Sequence, residues 1–470
     1  MEIKPILIEI NESSFLHTTS GILIGEKYIL TTSHIFGNVF PGKNEIFSKI
    51  PTGKFVSLTR KSDANFSIVE ENSNKTKAIL FGVFKCEGLL SEFKDWSPGD
   101  KNEMNSVNLK ENISLFVFLT ISNERVNQEH FKSILHTWLL NIYREKIQKL
   151  DRVLCVSTPF GSRDFLNSFS QGIVSTTLKN GSLYLSDCAS APGCEGGIVH
   201  INGKPVGIIL SSFNWWRKDW VGFTLIGDLR PILSGLVFNN RLPMSSVADT
   251  FSKLEQIFQN SLVQINCGVN WGTGILLSKD KRVFMTNSHV VRNDFSIKIL
   301  WKNKSAVAKL LWQSDLTQTT TAFNLMDFAI VQITTTCSWL SSLQSPELTA
   351  DVPYHPGDSV YCAGYPLFST TTRLPDSVTI THGIISKSNS KMINTNCAVY
   401  PGFSGGGLFT TQGELLGLII CNVKLNDTGF VYPKFNVALP FKAISSVIFR
   451  FLENDCDAGV FELWTLKGKL

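Results

Sequence analysis

The sequence predicts an all-β chain of two tandem domains, each of barrel or sandwich type with a few short helices, and three observations carry that prediction. At 470 residues the chain is long enough for two or three domains of ordinary size. A segment near its middle returns near its end. SDCASAPGCEGGIVHINGKPVGII (186–209) and TNCAVYPGFSGGGLFTTQGELLGL (395–418) align without a gap through their glycine-rich cores, 209 residues apart. This places Cys188 on Cys397, Pro192 on Pro401, Gly193 on Gly402 and Gly196 on Gly405. In both copies, short runs rich in Ile, Val, Phe and Thr are separated by Gly, Pro, Asn and Asp, the pattern of strands closed by turns.

In chain order, SGILIGEKYILTTSHIF (20–36) resembles TGILLSKDKRVFMTNSHVV (273–291), with two extra residues in the second copy. CVSTPF (155–160) matches CAGYPL (362–367), and QGIVS (171–175) matches HGIIS (382–386). Beyond the glycine-rich cores the offset becomes 210, Gly203 on Gly413, as one extra turn residue would produce. Helical spacing occurs in three places. Phe131, Ile134, Leu135, Trp138, Leu139 and Ile142 share one face. Val247, Phe251, Leu254, Ile257 and Phe258 share another, after Ser245 and Ser246 as caps. Ala443, Ile444, Val447, Ile448, Phe451 and Leu452 form a closing helix. All three read as packing faces. The polar stretches 57–78 and 91–112 are expected as surface loops that lengthen the first copy. The boundary is expected near Asn239–Ser246, giving domains over 1–240 and 241–470.

Composition narrows the function. The 44 bases and 39 acids leave a net charge of +5 with no long run of either sign, which argues against a dedicated nucleic-acid or membrane-surface binder. The best mostly apolar run, Ile113–Ile121, is far shorter than the ~18–20 residues of a membrane span. Met-Glu-Ile-Lys-Pro at the amino terminus does not read as a secretory leader. The ten cysteines are therefore expected as reduced thiols, and Asn112-Ile-Ser as an unused glycosylation triplet. No CxxC pair, P-loop or dinucleotide fingerprint occurs, and Cys188, Cys194 and His200 are poorly spaced for zinc, so neither metal nor cofactor is expected.

The second copy carries the chemistry. In Gly402-Phe403-Ser404-Gly405-Gly406, glycines flank a serine, as an exposed hydroxyl nucleophile beside an oxyanion cradle requires. The expected donors are the N–H groups of Gly402 and Ser404. Such a hydroxyl needs a base, and the base needs an orienting carboxylate. His289 follows the apolar strand Val283–Thr286, with Gly272-Thr273-Gly274 before it. Asp327 opens the apolar run Phe328–Val331, where a lone carboxylate would be costly without a partner. The order His289, Asp327, Ser404 is that of the chymotrypsin-type barrel.

GTGILL, TNSHVV, MDFAIV, GDSVYCAGYP, THGIIS and TNCAVYPGFSGGGLF resemble the trypsin-like domain of the HtrA/Deg family over 259–452. A degenerate trypsin-like half before an intact one is similar to the peroxisomal leader-peptide processing proteases, the trypsin domain-containing 1 family. The resemblance implies two tandem chymotrypsin-type double β-barrels. It also implies a matrix enzyme of the peroxisome that removes type-2 leaders from imported precursors and cleaves itself. Gly468-Lys469-Leu470 resembles the Ser-Lys-Leu address and would be read by the peroxisomal import receptor. Oligomeric state is not legible, and self-association stays open. The residue six before the serine, Ala398, falls at the pocket floor of such barrels. With no carboxylate there, cleavage after Arg or Lys is not expected.

The first copy keeps the framework and loses the machinery. His34 stands at the base position, Ser114 near the carboxylate position and Glu195 at the serine position. A glutamate there would mimic the oxyanion and plug the cradle, leaving a pseudoprotease; the rival is a reactive thiol at Cys194. Two other functions compete with leader processing: HtrA-like protein quality control, and a non-catalytic binding scaffold.

Overall fold

The computed structural model describes residues 2–12, 15–36, 49–58, 65–70, 75–95, 113–121, 126–143, 145–178, 181–216, 219–238, 252–291, 295–315, 326–366, 377–424 and 431–467. The chain divides into two compact units, Met1–Asp249 and Thr250–Leu470. The segment 239–246, where the boundary was expected, lies outside the described residues, as does Gly468-Lys469-Leu470.

Each unit holds two antiparallel rings of six strands, and one topology serves all four. Numbering the strands of a ring by their order in the chain, the neighbour sequence is 1-2-3-6-5-4 every time. In the first ring of the first unit, pairing of Lys75–Lys85 with Leu115–Thr120 closes the circle, and the short strand Phe55–Ser57 pairs outside it. Leu115–Thr120 reads LFVFLT, apolar without alternation, because both of its faces are covered. Leu115, Val117 and Leu119 point into the ring core, whereas Phe118 packs on Phe131 of the helix Gln128–Asn141, ring centres 5.5 Å apart. The matching strand of the second unit, Ala329–Ile333, sends Ala329, Val331 and Ile333 into a core with Leu276 and Phe284.

Several elements differ from expectation. The polar stretches 57–78 and 91–112 are not loops throughout: they include the strand Asn65–Val69, the start of the strand Lys75–Lys85 and the end of the helix Glu87–Asp95. Exposed Lys75 and Lys77 at the start of the second strand, and a buried polar Glu92 in the helix, hide the pattern. The linking helix spans Lys253–Ser261 and is capped by Ser252, whose Oγ accepts from the Glu255 N–H at 3.1 Å. Ser245 and Ser246 lie outside the described residues. The closing helix runs Phe441–Glu453, and two short apolar helices, Leu229–Phe238 and Gly459–Lys467, were not foreseen. Gly459–Lys467 is apolar on more than one side and shows no stripe, whereas Leu229, Ile232, Leu233 and Leu236 of the other helix do share its buried face, a spacing the sequence reading missed.

Candidate active site

His289 sits in a single tight turn, Ser288–Val290, directly after the buried strand Val283–Thr286. That strand pairs with Ala329–Ile333, Thr286 opposite Ala329, so Asp327 arrives beside the histidine turn from the neighbouring strand. Asp327 is buried, and its bonds among the described residues go to that turn and to Asn287 just before it. Its Oδ1 accepts from the backbone N–H of Ser288 at 2.7 Å and of His289 at 3.3 Å, and its Oδ2 bonds His289 Nδ1. Asn287 Nδ2 donates to the Asp327 carbonyl at 2.6 Å. The carboxylate thus holds both the ring and the backbone that carries it. Burial without these partners would be prohibitive.

Behind Asp327, Phe328 packs under Trp312 (ring centres 4.8 Å) and Phe461 (6.0 Å). Phe461 belongs to the unforeseen helix Gly459–Lys467 and is fully buried.

The serine turn comes from the other ring of the second unit, between Ile393–Thr395 and Gly407–Thr410. Its conformation depends on two glycines. Gly402 adopts φ +99° and Gly405 φ +81°. A Cβ on Gly402 would lie 2.3 Å from the Tyr365 carbonyl oxygen, and one on Gly405 2.1 Å from that of Thr273. No other residue fits either place.

The peptide groups of the turn divide cleanly. Phe403 N–H donates to the Tyr400 carbonyl (2.9 Å), Gly405 N–H to Ile419 (2.9 Å) and Gly406 N–H to Phe403 (2.7 Å). The N–H groups of Gly402 and Ser404 have no protein acceptor among the described residues, and these are the two expected oxyanion donors.

Thr273 locks this turn to the histidine-bearing ring, a role the sequence reading missed. Its Oγ1 donates to the Gly402 carbonyl (2.7 Å) and accepts from Tyr365 N–H (2.9 Å). Its N–H donates to the Ser404 carbonyl (2.8 Å), and its own carbonyl accepts from Thr286 Oγ1 (2.7 Å). The first unit repeats the device with Ser20. Ser20 Oγ donates to the Gly193 carbonyl (2.7 Å) and accepts from Thr158 N–H (2.9 Å), and Thr31 Oγ1 donates to the Ser20 carbonyl (2.8 Å). The signal was available: SGILIG and TGILLS align a hydroxyl residue on a hydroxyl residue.

Ser404 Oγ itself donates to the Ile420 carbonyl at 3.0 Å, and among the described residues no hydrogen bond joins it to His289. Two members of the expected triad are bonded in this structure. The third stands on a turn so close to the histidine segment that a Cβ on Gly405 would lie 2.4 Å from Thr286 Oγ1 and 3.2 Å from Asn287 N, and its hydroxyl bonds the neighbouring strand instead.

Ala398 is buried, and the carbonyls around it are pinned one after another. Asn436 Nδ2 donates to Cys397 (2.7 Å), Thr381 Oγ1 to Ala398 (2.8 Å) and Asn422 Nδ2 to Val399 (2.7 Å). The expected pocket floor is therefore a segment beyond the strand Ile393–Thr395, held at three successive carbonyls, whose side chain at this position is a methyl group.

In the first unit, Glu195 occupies the serine position, and its carboxylate accepts from Gly193 N–H at 2.8 Å and from Ser212 N–H at 3.4 Å. Gly193 is the counterpart of Gly402. His34 keeps its place after Thr31-Thr32-Ser33, and His17 Nε2 donates to its carbonyl at 2.8 Å. Strand register corrects the third member. Thr31 pairs with Val117 as Thr286 pairs with Ala329, so Leu115, not Ser114, is the counterpart of Asp327. A slip of one residue along a strand reverses the face, and Leu115 lies in the ring core. Cys194 is fully buried, and burial pushes its thiol pKa up, which removes the reactive-thiol reading.

Residues 272–418 match the family described as trypsin-like peptidase domain. The chain is 27% identical over 348 residues to the peroxisomal leader peptide-processing protease of Homo sapiens and 26% identical over 341 residues to that of Mus musculus. Each alignment covers 66% of this chain and 57% of the relative, so the chain spans little more than half the length of these relatives. It is also 27% identical over 185 residues, 35% of this chain and 37% of the relative, to the serine protease Do-like HtrA of Bacillus subtilis. These likenesses support a serine peptidase of trypsin-like type.

Proposed function

We propose that the second unit is a serine endopeptidase in which Ser404 is the nucleophile, His289 the general base and Asp327 its orienting partner. The observation that carries this reading is the bonded His289–Asp327 pair beside a serine turn that leaves two N–H groups unspent. When a peptide enters, Ser404 Oγ exchanges the Ile420 carbonyl for His289 Nε2. The imidazole takes its proton as oxygen attacks the scissile carbonyl, and the N–H groups of Gly402 and Ser404 receive the oxyanion. Asp327, bonded at Nδ1, stabilises the imidazolium, which then protonates the leaving amine. Water repeats the sequence on the acyl-enzyme.

The substrates we infer are precursors of imported peroxisomal enzymes bearing amino-terminal leaders, and the chain itself, within the peroxisomal matrix. Similarity to the two peroxisomal processing proteases supports this over an HtrA-like quality-control role, because those alignments cover about twice as much of the chain as the HtrA one. The uncharged methyl floor at Ala398 offers Arg or Lys no partner and supports cleavage at other residues. A serine-directed phosphonate probe should label the protein and fail on Ser404→Ala; absence of labelling in both would favour a scaffold. Incubation with a leader-bearing precursor should release one new amino terminus, identified by sequencing, and products from unrelated unfolded chains at equal rate would favour quality control.

A further inference from the structure

The plugged turn of the first unit is a formed site, not a collapsed one. Gly193 and Gly196 adopt φ of +97° and +88°, beside +99° and +81° for Gly402 and Gly405. Cys194 N–H donates to Ala191 (3.0 Å), Gly196 N–H to Ile209 (2.8 Å) and Gly197 N–H to Cys194 (2.9 Å), the same bonds in the same order as in the second unit. The Ser20 clamp is in place on its far side. What differs is the occupant. The Glu195 carboxylate spans from the cradle, at Gly193 N–H, to the facing strand Lys204–Trp216, at Ser212 N–H, and the residue is buried. One oxygen is bound by each side of the cleft.

We propose that this turn is a carboxylate-binding site which the chain fills with its own Glu195, and that vacating it creates a receptor for a small monocarboxylate. The inference is independent of any catalysis in the second unit. Glu195→Ala removes the atoms of one acetate molecule beyond Cβ, so acetate is the matching probe.

The test uses the full chain carrying Ser404→Ala to prevent self-cleavage, with thermal unfolding followed in chloride and in acetate at equal ionic strength. Loss of charge-assisted bonds from a buried site should lower the midpoint of Glu195→Ala by about 4–8 °C in chloride. Acetate should recover part of that loss in Glu195→Ala. It should do nothing for the Glu195 parent or for Glu195→Gln, whose amide still fills the space. Pivalate, equally charged but bulkier, should not substitute. An unchanged midpoint in Glu195→Ala, equal behaviour in acetate and chloride, or equal recovery by pivalate would each overturn the proposal. If Glu195→Ala does not fold in chloride, refolding yield in acetate against chloride is read instead, and equal failure in both overturns it.

Discussion

Asp327 lies two residues before Ala329, and Leu115 two before Val117, its counterpart in the first unit; this difference and Glu195 in place of Ser404 set the two units apart. A buried carboxylate that bonds both ring and backbone of the histidine turn fixes the imidazole for proton transfer; an isobutyl group can only pack. Asp327→Asn should therefore leave the fold intact and reduce kcat by about 10⁴-fold, read from steady-state kinetics on a leader peptide, since the amide favours the wrong tautomer. Conversely, Glu195→Ser in a Ser404→Ala background restores a hydroxyl to the first unit but should give no phosphonate labelling. Labelling there would mean that His34 needs no orienting carboxylate. The bonded pair His289–Asp327, the turn bearing Ser404 and the substituted Glu195 were legible as candidates from residue type and order, because a buried carboxylate without a partner is costly. Ser114 was misassigned because no periodicity tells a strand's first inward residue from the one before it.

Between elements, the hydroxyl of Thr273 and the aromatic face of Phe461 hold the site's parts in place. Thr273→Val keeps volume and shape and loses the bonds to the Gly402 carbonyl and Tyr365 N–H. The expected result is a fall of about 10²-fold in kcat with little change in KM, since misplacement rather than lost binding is the cause. Thr273→Ser should recover most of it, because Ser20 performs the same bonds in the first unit. Phe461→Ala empties a buried position against Trp312 and Phe328. It should destabilise the second unit by about 3–5 kcal/mol in denaturant unfolding, and kcat should drop with it as the Asp327 segment loosens. Of these, Thr273 was visible as an aligned hydroxyl in the repeat. The helix bearing Phe461 was not, since nine mostly apolar residues carry no readable period.

Taking each unit as a body, acid stability of the first should depend on a buried carboxylate paired with two half-exposed bases. Glu9 is 3% exposed at its side chain, and burial opposes its ionisation, yet its carboxyl pKa is held below the usual range by Lys75 at 2.6 Å and Arg163 at 2.6 Å. A depressed carboxylate contributes stability that is present above the ordinary glutamate range and lost as pH falls through the lower, folded value. Glu9→Gln should cost about 1–2 kcal/mol near neutrality and flatten the acid limb of the first unit's stability. An acid limb identical to that of the parent protein would remove Glu9 from this role.

Local chemistry alone announces much of this protein: strands from β-branched runs, turns from glycine, duplication from self-alignment, and a candidate serine, histidine and aspartate from their residue types and order. What awaited folding is whatever joins distant segments. Thr273 meets Gly402 across 129 residues of chain, and Ser20 meets Gly193 across 173. Which side chain lands on a ring's inner face, which N–H groups stay unspent, and whether a glutamate reaches across a cleft all depend on how closed rings abut. Those outcomes turn on one-residue register and ångström-scale distances, to which composition and spacing are blind.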